Sequence, residues 1–240
     1  MNGRKLLSCR WMLPVIAALL KTVASANAEE LPVSVTNDFT FVIHASLPPF
    51  RFHIIRATNQ DFQIIRAIEV FKGRSARLMQ LLTNETSEPR LDDREPLILE
   101  DANFDGYRDL RTINWAGATG NIGYVFWLFD TNRGRFEYSE ELSDLCRPEF
   151  FAEETKIRTH GNGGAAGMMF SEETYVWENN RLKMIEQVSQ DEARRPLRDQ
   201  LLSRFHYGWE KYEPQFVRVT RVWTNEAWKV KSERVRREWE

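Results

Sequence analysis

Three things are scarce in this chain, and each scarcity closes off a class. Cysteine occurs only as Cys9 and Cys146 in 240 residues. Cys9 sits in an amino-terminal segment expected to be removed, so no intramolecular disulfide framework is expected. Long apolar runs are missing too. The run Trp11 to Leu20 falls short of the ~20 residues a membrane-spanning helix needs, and no later run is longer. Basic excess is the third absence, with 33 Lys and Arg against 35 Asp and Glu, a net charge of −2. Phosphate backbones are held mainly by clustered cations, so nucleic acid is not an expected partner.

What opens the chain is the pattern of an export signal. Arg4, Lys5 and Arg10 form a basic start, Trp11 to Leu20 an apolar centre, and Ala26-Asn27-Ala28 before Glu29 a small-residue cleavage site. Residues 1–28 are therefore expected to be a signal peptide. Residues 29–240 are expected to be one domain, periplasmic or secreted. The cleavage removes four basic and no acidic residues, taking the net charge to −6. The 212 residues left are enough to bury a core without staples.

The most informative stretch is Asp101-Ala102-Asn103-Phe104-Asp105-Gly106-Tyr107-Arg108-Asp109. Oxygen side chains at loop positions 1, 3, 5 and 9, with glycine at 6, form the ligand pattern of a hard cation such as Ca²⁺. Gly106 allows the sharp turn after the third ligand, because glycine reaches positive φ without a Cβ clash. Tyr107 is placed to offer its backbone carbonyl. The predicted ligands are Asp101, Asn103, Asp105, Tyr107 and Asp109. An EF-hand is excluded, since position 12 is Thr112 and both flanks read as short strands.

Strand signals fill the rest. Phe50-Arg51-Phe52-His53-Ile54-Ile55 alternates, and Tyr124-Val125-Phe126-Trp127-Leu128-Phe129-Asp130 is the strongest strand-forming run. Turns at Asn132, Asn180 and Asn225 are 48 and 45 residues apart, and the pairs Thr36-Asn37 and Thr83-Asn84 extend that spacing upstream. A repeat of this length is a propeller signature. The expected fold is all-β, a five-bladed β-propeller-like domain of antiparallel sheets, with a β-sandwich as the alternative.

No catalytic set can be assembled, and the chain is not expected to be an enzyme. Cys146 and His160 lack a third orienting group. Gly161-Asn162-Gly163-Gly164-Ala165-Ala166-Gly167 is not followed by the helix a phosphate loop requires, and reads as a hairpin tip.

Asp101 to Leu110, Gly120-Asn121, Tyr124-x-x-Trp127-Leu128-Phe129-Asp130, Phe136, Leu142-Ser143, Tyr175-x-Trp177 and Asn180-x-Leu182 together resemble a family of exported bacterial calcium-binding, propeller-like proteins. The likeness covers roughly Leu97 to Glu186. The best understood kind in that family is a periplasmic immunity protein that inhibits lysozyme-like effectors of an antibacterial secretion system. The resemblance implies a Ca²⁺ site and a role as inhibitor of a peptidoglycan-degrading enzyme. A general calcium-dependent glycan- or protein-binding role in the envelope is the alternative. Aromatic and amide side chains beside the metal loop suit a partner contact, and Tyr107, Asn121, Tyr124 and Asn162 are the expected contact residues.

Overall fold

A computed structural model describes residues 33–58, 62–89, 96–192 and 216–235. The signal-peptide expectation lies outside these residues. Strands follow one another as neighbours in three antiparallel sheets. Sheet one is β1 (Val33–Phe41), β2 (Phe50–Thr58), β3 (Phe62–Lys72) and β4 (Gln80–Pro89), side by side in chain order. Sheet two is β5 (Ile98–Glu100), β6 (Asp109–Ala116), β7 (Ile122–Asp130) and β8 (Arg135–Tyr138). Sheet three holds β9 (Glu149–Phe151), β10 (Lys156–Gly164), β11 (Met169–Glu178), β12 (Arg181–Glu192), β13 (Phe216–Thr224) and β14 (Ala227–Val235). A short helix, α1 (Glu140–Ser143), is capped by Ser139. No helix among the described residues is long and apolar enough to cross a membrane.

The all-β, antiparallel expectation holds, and the meander order within each sheet is that of propeller blades or of sandwich sheets. Five blades are not seen. The described strands make three sheets, and none closes on itself. The expected repeat fails upstream for a local reason. Asn132, Asn180 and Asn225 do lie in hairpin turns, but Thr83-Asn84 lies inside β4, and Asn37 follows a register shift inside β1. The two later asparagine turns are two-residue loops with positive φ at both positions, Asn179-Asn180 and Asn225-Glu226. That backbone matches the twist of the strands it joins.

Alternation explains the packing of β2, where Phe50, Phe52 and Ile54 are buried and Arg51 and His53 are partly exposed. Arg56 continues the inward series, and the register shift opposite Ile55 and Arg56 places its extra residue, Arg66, in β3. β7 is different. Val125, Trp127 and Phe129 join Phe50, Phe52, Ile54, Leu110 and Phe136 in one core. Phe126, on the other face, joins Ala102, Leu142, Leu145 and Ile157 in a second. A strand buried on both faces needs apolar residues at successive positions, which is why its sequence is nearly continuous in them.

The sheets are stitched by side chains as well as by packing. Gln80, at the start of β4, donates through Nε2 to the Phe136 carbonyl at 2.6 Å and accepts the Phe136 N–H at 2.9 Å. This joins the edges of sheets one and two. At the far end of sheet two Trp115 lies opposite Gly123 with its ring over that residue, and a Cβ there would collide with the indole nitrogen.

Candidate metal centre

The loop between β5 and β6 is wound around its own carboxylates. Asp101 accepts the N–H of Asp105 at 3.0 Å and that of Gly106 at 2.8 Å. The Asn103 side-chain oxygen accepts the Asp105 N–H at 3.2 Å, and Asp105 accepts the Tyr107 N–H at 2.8 Å. These side chains thus gather at loop positions 1, 3 and 5. Gly106 has φ +88°, and a Cβ there would meet nothing within 4 Å. Backbone conformation, and not room, is what requires glycine at this position.

Asp109 is the buried member, at 1 % exposure. Its two oxygens accept the N–H of Ala102 at 2.9 Å and of Phe129 at 2.8 Å. Burial pushes its carboxyl up to about 7, against those two N–H groups and with the negative charges of Asp105 and Asp101 adding to the rise. No cationic side chain stands against it among the described residues. Nor do those residues gather three His, Cys, Asp or Glu side chains into a ready ligand shell. A cation here would draw on Asp101, Asn103, Asp105 and the Tyr107 carbonyl, with Asp109 closing the loop beneath. The donor set is all oxygen, which fits Ca²⁺. The fit is also electrostatic, because a cation would offset both the burial that lifts the Asp109 carboxyl and the smaller repulsion from Asp105 and Asp101.

The loop touches all three sheets. The Arg108 N–H donates to the carbonyl of Ile43 just past β1, at 2.9 Å. Asp109 holds Phe129 in β7, and Trp177 of β11 donates its indole N–H to the Ala102 carbonyl at 2.9 Å. Trp177 stood in the family-like motif without a role; its reach across 75 positions is invisible to local pattern.

A solved bacterial protein shares this fold. It is a Xanthomonas type IV secretion system related protein, with a TM-score of 0.51 and 16 % identity, matched over 84 % of this chain and all of that one. No protein-family model and no curated protein matches the sequence.

The expected contact residues separate into two groups. Tyr107 is partly buried, stacked on His44 at 4.2 Å between ring centres and on Phe129 at 5.8 Å. The Tyr124 ring lies under the Arg111 guanidinium at 4.3 Å, and Arg111 also pairs with Glu100 at 2.6 Å. Both rings therefore belong to the body of the protein. Asn121 and Asn162 are brought together. Asn121 donates to the Asn162 carbonyl at 2.9 Å and accepts the Asn162 N–H at 2.7 Å. The Asn162 amide also donates to the Thr119 carbonyl at 3.0 Å, and its oxygen meets His160 Nε2 at 2.8 Å. The segment 117–121 and the glycine-rich β10–β11 connection are thus one surface.

His160 and Cys146 are not paired with each other. The other imidazole nitrogen meets Glu172 at 3.2 Å, and burial pushes the Cys146 thiol up, opposite to what a nucleophile needs. An open cleft of about 640 Å³ on sheet three, lined by Arg158, His160, Glu172 and Glu186 among others, contains none of the loop residues.

Proposed function

We propose that the chain is an exported calcium-binding protein that inhibits a lysozyme-like, peptidoglycan-degrading enzyme. Ca²⁺ would be held by Asp101, Asn103, Asp105, Asp109 and the Tyr107 carbonyl, and would serve mainly to fix the loop. The inhibitory contact would be the surface carried by Asn121 and Asn162, at the end of β7 opposite the Phe129 on which Tyr107 stacks. The observation that carries this reading is the reciprocal Asn121–Asn162 bonding. It ties two loops 41 positions apart into one structure, so less ordering entropy is left to lose when a partner binds. The family resemblance of the loop and hairpin motifs supports it, as does the shared fold with a type IV secretion system related protein. So does the acidic balance expected after export, since opposite charge speeds encounter with a basic hydrolase.

The test is a peptidoglycan-digestion assay with hydrolases captured from the periplasm on the purified protein. Digestion should slow in proportion to added protein, and chelation should weaken the effect. Asn121→Ala and Asn162→Ala should each raise the protein needed for half-inhibition, by about thirty-fold where the residue anchors the contact. Undiminished digestion, with a glycan or a non-hydrolytic envelope protein captured instead, would replace this reading with that of a general envelope binder.

A further inference from the structure

We propose that β14 is the edge through which two copies of this chain pair, strand against strand. β14 closes the six-stranded sheet on one side, with β13 as its neighbour. Every residue from Ala227 to Arg234 is exposed, and no described strand pairs with its outer edge. A nine-residue edge of this kind presents a row of N–H and C=O groups to any strand that can match it.

Lysine on an edge usually guards against such pairing, and β14 carries Lys229 and Lys231. Here the charges exclude registers selectively. A two-fold axis perpendicular to the sheet keeps each face on its own side, so residues set opposite each other must differ by an even number of positions. Centred on Lys229 or on Lys231, such a register sets a lysine against its own copy. Centred on Val230, it sets Lys229 against Lys231 twice, and centred on Glu233 it sets two carboxylates together. Directly opposed like charges destabilise a strand pair.

The register centred on Ser232 escapes all of these. Lys231 then faces the partner's Glu233, and Glu233 the partner's Lys231, while Lys229 faces the partner's Val235. Val230, 60 % exposed, faces the partner's Arg234, whose aliphatic stem can cover it. Lys231 and Glu233 already lie on one face, 3.4 Å apart, and Arg218 stands 3.8 Å from Glu233. Pairing in this register would set two carboxylates among four cationic groups, where the single chain leaves them largely in solvent.

The experiment is sedimentation velocity of the purified protein across a dilution series. A reversible dimer is expected. Lys231→Glu and Glu233→Lys should each weaken self-association about ten-fold, because two attractive pairs become repulsive at once. The double variant Lys231→Glu/Glu233→Lys restores both pairs with their signs exchanged, and should recover the dimer. Circular dichroism should be alike in all four proteins, since both side chains are exposed. A wild-type protein that stays monomeric throughout, single variants that dimerise as it does, or a double variant that fails to recover would overturn the proposal.

Discussion

Asp109 shows how one side chain can be both a stabilising contact and an electrostatic cost. Its two backbone N–H partners are satisfied only by a group with two acceptor oxygens, so Asp109→Asn should leave one donor facing an amide NH₂ and lose about 1–3 kcal/mol in denaturant melts. Its carboxyl, ordinarily near 3.8, is pushed up to about 7 in the folded, calcium-free protein. The folded state therefore holds that proton more tightly than the unfolded state does. Its contribution to stability is complete below about pH 4 and is lost as pH rises to about 7. A bound cation acts the other way, favouring the ionised carboxylate. Melts in chelator should thus fall across this window, while the gain on adding Ca²⁺ should grow across it. Equal pH slopes with and without Ca²⁺ would reject the linkage. The spacing of Asp101, Asn103, Asp105 and Asp109 was legible in the sequence, but the aim of Asp109 was not. A carboxylate at loop position 9 can face inward or back to the chain, and that choice depends on Phe129, twenty positions away.

Among the elements, the edge contact between β4 and β8 invites the simplest substitution. Gln80→Ala removes both bonds to Phe136, a residue at 1 % exposure, and should cost about 1–3 kcal/mol in chemical denaturation. Gln80→Glu should recover the accepted bond and not the donated one, and fall between. A wild-type-like Gln80→Ala would mean that the apolar core alone sets the distance between the two sheets. Strands were readable where their own residues decide. β2 alternates, β7 is apolar at successive positions, and the asparagine turns at Asn180 and Asn225 announce positive φ. β4 was not. Thr83 onward is polar and proline-containing, so it reads as a loop, yet Thr86 and Ser87 pair with Ile65 and Ile64 of β3. Pairing with a distant strand overrides such local preference, and for the same reason the Thr83-Asn84 pair misled the blade count. The Asn121–Asn162 bond escaped for a like reason: both residues were marked as contact candidates, but nothing within either loop points to the other.

For the molecule as a whole, the loop's position decides what a bound ion should do. Because it bonds to sheet one through Ile43, to sheet two through Phe129 and to sheet three through Trp177, an ion there should raise one cooperative transition and not merely stiffen a surface loop. The gain should grow with the logarithm of free Ca²⁺ above the dissociation constant. Calorimetry should show a single endotherm moving upward with Ca²⁺, and Asp105→Ala should abolish the movement. An unmoved wild-type endotherm would remove the metal from the account. β7 occupies a comparable place without any ion, since its two faces feed two different cores. Regarded as inheritance, it is the part of the chain that cannot be traded away. A descendant can lengthen or exchange an outer sheet so long as the replacement fits one face of β7. A change in β7 itself has to be answered on both sides at once.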